Sequence, residues 1–151
     1  MPAVTISPTT EALQSIRDRI NSGEAYCLPI RAELSEVLID PAEEITDLRC
    51  DVVDDGEEQL QETIALEDNT SHQLRVWIRA KVQDLSSDTI EPLKLIVRQV
   101  FQRLNNYRTT DGRVTVYDID TDSKQTPDKA LLAANRLFVA VINLRVEVGE
   151  I

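Results

Sequence analysis

Residues 74–82 read Leu-Arg-Val-Trp-Ile-Arg-Ala-Lys-Val. Successive side chains of an extended chain point to opposite faces, so Leu74, Val76, Ile78, Ala80 and Val82 share one face, and Arg75, Trp77, Arg79 and Lys81 share the other. A strand with one apolar and one polar face belongs to an antiparallel sheet packed on one side, not to a parallel sheet buried on both. The end of the chain repeats the pattern, with Ile142, Leu144, Val146 and Val148 alternating with Asn143, Arg145 and Glu147. Between these strands the period changes. Ile90, Leu93, Val97, Val100 and Leu104 recur at intervals of three and four, and Ile96 and Phe101 widen the stripe, which predicts a long amphipathic helix. Ser87-Asp88-Thr89 offer its caps, and Pro92 is expected in its first turn, where no intrahelical donor is lost.

Upstream, Ser7-Pro8-Thr9-Thr10-Glu11 supplies hydroxyl caps and an early carboxylate for a first helix over about residues 9–21, stopped by Asn21-Ser22-Gly23. Residues 26–31 and 33–39 read as short strands, and Asp40-Pro41-Ala42-Glu43-Glu44-Ile45 as a single helical turn. A strand is expected over 48–52, closed by a turn at Asp54-Asp55-Gly56, with a weaker one over 60–66. Residues 113–119 alternate again, and 127–132 read as a short helix. The order predicts an α+β fold: a mainly antiparallel β-sheet packed on one face by an N-terminal helix and a long central helix, as one domain over residues 1–151.

The 151 residues carry 27 Asp and Glu against 16 Lys and Arg, a formal net charge of −11. That balance argues against sequence-specific nucleic-acid binding and against an anionic membrane surface, because both require a basic patch. No stretch approaches the length of a membrane span, and residues 1–10 have neither the charge nor the apolar run of a secretory signal, so a cytoplasmic product is expected. With 42% hydrophobic but only 4% aromatic residues, the core must be built from Val, Leu, Ile and Ala. Cys27 and Cys50 form no C-x-x-C pair and are expected as reduced, buried thiols.

No catalytic, cofactor or metal site is identified. His72 follows the polar run Asp68-Asn69-Thr70-Ser71 and reads as a solvated loop histidine; Ser71 cannot act as its nucleophile, since neighbours on an extended chain diverge. Asp118-x-Asp120-x-Asp122 copies the first ligands of a calcium loop, but Ser123 replaces the required Gly and Lys129 the bidentate Glu. Half of a magnesium site would remain, without a phosphate-binding loop beside it. Asp51, Asp54, Asp55, Glu57 and Glu58 form a second acidic cluster, read as a solvated turn. The strongest interaction signal is the face Arg75-Trp77-Arg79-Lys81, which holds the only Trp, and Trp with Arg is enriched at energetic centres of interfaces. Cover by another element of the same subunit is the other reading of Trp77, and both stay open.

Element order, chain length and hydrophobic signature together resemble the small tail terminator or tail completion proteins of tailed bacteriophages. The likeness rests on the N-terminal helix, the Tyr-containing extended segment after it, Asp40-Pro41-Ala42-Glu43-Glu44-Ile45 leading into Leu48-Arg49-Cys50-Asp51-Val52-Val53, the strand Leu74–Arg79, the helix Ile90–Leu104 and the closing Leu137-Phe138-Val139-Ala140-Val141-Ile142. The resemblance implies a non-enzymatic virion component of the neck, without cofactor, assembled in the host cytoplasm. It further implies a homohexameric ring that caps the tail tube and contacts the tail tube protein, the head-completion proteins and, in contractile phages, the sheath. DNA would pass through the channel. Arg75, Trp77, Arg79 and Lys81 are then candidates for an interface, and Asp54, Asp55, Glu57, Glu58, Asp118, Asp120 and Asp122 for the lumen, where like charge would repel phosphates. The alternatives are an acidic adaptor or chaperone for a basic partner and a small metal-dependent enzyme built on Asp118, Asp120 and Asp122.

Overall fold

A computed structural model describes residues 7–35, 48–60, 70–121, 132–133 and 136–149, with backbone only at 55–60. Helix α1 spans Pro8–Asn21, strand β1 Ala32–Ser35, β2 Arg49–Leu60, β3 Thr70–Lys81, helix α2 Ser87–Leu104, β4 Val114–Thr121 and β5 Leu137–Val148. The five strands form one sheet in the order β1-β2-β3-β5-β4. Every pairing is antiparallel except β1 with β2, so the chain has the expected α+β architecture.

The alternation in β3 sets the two faces. Leu74, Val76 and Ile78 are buried together with Ile142, Leu144 and Val146 of β5, and both helices pack on them. From α1 come Ala12, Ile16 and Ile20, and from α2 Ile90, Leu93, Ile96, Val97, Val100 and Leu104. β3 and β5 pair along their whole length, from Thr70 opposite Val148 to Lys81 opposite Leu137. Burying this many aliphatic side chains, at about 1.5–3 kcal/mol each, is the main favourable term in folding.

Local chemistry fixes the helix ends. Ser7 Oγ accepts from Thr10 N at 3.2 Å and Pro8 opens α1. Gly23, at φ +82°, turns the chain away after Ser22. At α2 the cap is Ser86, one residue before the expected trio. Asp84 holds it, accepting from Ser86 N at 2.9 Å, from Ser86 Oγ and from Thr89 Oγ1 at 2.8 Å. The Ser86 hydroxyl, followed by the Ser86 amide and Thr89, keeps the Asp84 carboxyl below its ordinary range. Pro92 therefore lies in the second turn, not the first, and withholds one helical donor from the Asp88 carbonyl.

Several boundaries differ from expectation. Asp54-Asp55-Gly56 does not close a turn: β2 runs through it to Leu60, and its register against β3 shifts between Asp54 and Glu58. A bulge absorbs residues that read locally as a hairpin signal. β5 runs from Leu137 to Val148, joining the closing strand Leu137–Ile142 of the resemblance to the alternating stretch from Ile142; its first half is apolar on both faces. Residues 26–31 contain no strand, and β1 is described over Ala32–Ser35, residues 36–39 of the expected strand lying outside the described residues. The expected turn at 40–45, the strand over 61–66 and the start of the short helix at 127–131 lie outside the described residues; Leu132 and Ala133 are helical.

The two helices end side by side and cap each other. Arg103, in the last turn of α2, donates from Nη1 to the carbonyls of Ile20 at 3.0 Å and Ser22 at 2.7 Å, and from Nη2 to that of Glu24 at 2.5 Å. Its guanidinium also lies 4.1 Å from the centre of the Tyr26 ring. In return Arg19 of α1 donates from Nε to the Arg103 carbonyl at 2.9 Å and sits over Tyr107. Each cation meets carbonyls at the negative end of the other helix. Arg103→Ala is expected to lower unfolding free energy by about 2 kcal/mol and Tm by about 4–8 °C. Arg103→Lys should recover only part of this, since an ammonium lacks the guanidinium fork; urea and thermal unfolding measure both.

Candidate functional site

The sheet face away from the helices carries the polar residues of β3. Reading across the strands, Glu33, Asp51, Trp77 and Val141 share one row, and Ser35, Val53, Arg75, Asn143 and Asp120 the next. Arg145 lies opposite Gln73 and Asp118.

The interface candidates divide. Arg79, 5% exposed, donates from Nη2 to Asp51 Oδ2 at 2.9 Å, and Asp51 is 1% exposed. Ser35 Oγ donates to Asp51 Oδ1 at 3.2 Å, and Arg49 approaches that oxygen at 3.8 Å. Arg79 is thus part of an ion-pair network inside the subunit, not a water-facing residue. Trp77 is half-buried and packs with Leu137, Val139 and Val141 on the same sheet face. Lys81 is exposed at the end of the strand, and Arg75 half-buried at its middle.

The lumen candidates divide as well. Asp54 pairs with Leu74 and lies on the helix side of β2, half-buried. Asp118 and Asp120 are exposed on the opposite face, beyond a register shift that follows Val116 in β4. Asp54 therefore does not share a surface with Asp118 and Asp120. The side chains of Asp55, Glu57 and Glu58, and the whole of Asp122, lie outside the described residues. Asp118, Asp120, Asn143, Gln73, Arg75 and Arg145 line a polar concavity of about 270 Å³, with Asn143 Nδ2 donating to Asp120 Oδ1 at 3.0 Å. Arg75 and Arg145 thus line the same concavity as the carboxylates of Asp118 and Asp120. Among the described residues no group of three His, Cys, Asp or Glu side chains is placed to hold a metal.

His72 overturns the reading of a solvated loop residue. It is 1% exposed and lies on the core face of β3, two residues before Leu74. Thr9 Oγ1, in the first turn of α1, is 3.0 Å from Nδ1, and Thr70 Oγ1 is 2.7 Å from Nε2. The polar run before the strand concealed it. Extending the alternation of Leu74, Val76 and Ile78 one step back would have found it. Ser71 points to the other face as expected, where it hydrogen-bonds the Tyr117 hydroxyl. Cys50 is buried, and burial, followed by the charge of Asp51, pushes its thiol up to about 12; Cys27 is exposed, contrary to expectation.

The whole charge of −11 has an address. Residues 36–47 and 55–69 contain eleven acidic residues and no basic one, so the remaining chain is formally neutral. Among the described residues no helix is long and apolar enough to cross a membrane. No protein-family model matches the chain, and no curated protein is similar to it at a significant level.

Asp51→Ala, which removes the carboxylate between Arg49 and Arg79, is expected to cost about 3 kcal/mol in urea unfolding. Replacing the buried pair together, as Asp51→Leu with Arg79→Met, should cost less than Asp51→Ala alone.

Proposed function

We propose that this chain is a structural subunit of a tailed-bacteriophage neck, a tail terminator-like protein that forms a closed ring on the end of the tail tube and joins it to the head-completion proteins. The reading is carried by the fold: an N-terminal and a central helix cover one face of a mainly antiparallel sheet, the element order on which the resemblance rests. A ring of identical subunits joins two different patches of each copy. A one-sided helix layer suits that need. It leaves the face of Lys81, Trp77, Asp118 and Asp120, together with the outer strands β1 and β4, for neighbouring chains.

In this role the protein works by shape and position, without a catalytic centre. It stops tube growth by occupying the surface that the next tube ring would bind, and it presents a new surface to the head. Localisation is the virion neck. The acidic stretches at 36–47 and 55–69 provide negative charge able to repel DNA phosphates wherever they approach the channel.

A phage lacking the gene is expected to make tubes of irregular, excessive length that fail to join heads, scored by electron microscopy of lysates. Tails of normal length joined to heads would contradict the proposal.

A further inference from the structure

Among the described residues, the chain after α2 builds a concavity without a carboxylate in its lining. It has a volume of about 450 Å³ and is lined by Arg19 from α1 and by residues 105–110, with no acidic residue among them. The concavity on the outer sheet face contains Asp118 and Asp120, and one beside β1 contains Asp18 and Glu33. Here both charged groups are arginines, and Asn105, Asn106 and Thr110 add neutral donors.

The Arg19 guanidinium is held by contacts that leave donors over. Arg19 uses Nε on the Arg103 carbonyl at 2.9 Å and rests over Tyr107, 5.1 Å from the ring centre, leaving its Nη groups. Arg108 is exposed and packs against Gly112, where a Cβ would come within 2.7 Å of Nη2. Asn106 adopts φ +60°, which turns the chain sharply at the rim of the concavity. The carboxylate on the same turn, Asp111, is engaged locally, accepting from Thr109 Oγ1 at 2.6 Å and from Arg113 N at 3.0 Å.

We propose that this pocket binds a phosphate oxyanion. The guanidinium forks of Arg19 and Arg108 take its charge, and Asn105, Asn106 and Thr110 donate further hydrogen bonds; planar forks match phosphate oxygens bidentately. The inference is independent of the ring reading. The oxyanion has two sources, free phosphate or a phosphodiester of nucleic acid, and they are told apart by measurement.

The ¹⁵N-labelled full chain is titrated with inorganic phosphate at fixed ionic strength, balanced with chloride, and separately with a short DNA duplex. Saturable shifts are expected at the amides of 105–110 and at the Nε groups of Arg19 and Arg108. Arg108→Ala should weaken binding about tenfold or more while the amides of β3 and β5 stay in place. Arg108→Lys should retain part of the affinity. Tighter binding of the duplex at the same residues assigns the phosphodiester, and binding of phosphate alone assigns the free anion. Shifts no larger than chloride produces in both arms, or undiminished affinity in Arg108→Ala, overturn the proposal.

Discussion

Two helices end at the same point above the sheet, and each presents its last carbonyls to an arginine of the other. Arg103 gathers the carbonyls of Ile20, Ser22 and Glu24, while Arg19 reaches the carbonyl of Arg103 itself. Bringing two negative helix ends together would be unfavourable without those cations. With them, α1 and α2 form a single layer, and the chain leaving α1 is led into β1: Asn21 closes both the N–H and the C=O of Ala32, at 2.7 and 3.1 Å. At the other end of α1, Thr9 meets His72 beneath the first turn. The helix is therefore fastened at both ends to the sheet or to its partner helix by polar contacts, with Ala12, Ile16 and Ile20 packed between them.

Much of this fold was legible in the sequence because hydrophobic period is a local signal. The alternation of Leu74, Val76 and Ile78 and the three-four spacing from Ile90 to Leu104 identified the central strand and the central helix, and these bring the core together. What was not legible is tertiary. Asp54-Asp55-Gly56 carries turn chemistry, yet pairing with β3 draws it into a strand. The first half of β5 lacks alternation because Phe138 and Ala140 pack under the helices while Leu137 and Val139 pack beside Trp77 on the other face. The reciprocal arginines join residues far apart in sequence, and no spacing rule announces them.

The candidate surface was only partly legible, for an electrostatic reason. Period two places Arg75, Trp77, Arg79 and Lys81 on one face, and the structure keeps them there. It does not keep them equivalent. The cross-strand neighbour of Trp77 is Asp51, whose carboxylate takes up Arg79 and makes the pair nearly inaccessible. Net charge was equally coarse as a guide. Two stretches of the sequence, 36–47 and 55–69, hold the entire formal excess of −11. The rest of the chain is neutral, with room for an all-cationic pocket at the end of α2.

The proposed function requires a closed ring seated on a tube end. Purified protein mixed with tail tubes and imaged by electron cryomicroscopy tests it most directly. A sixfold ring is expected at one end of each tube and none along the shaft. Tubes with bare ends, or protein bound along their length, would contradict it.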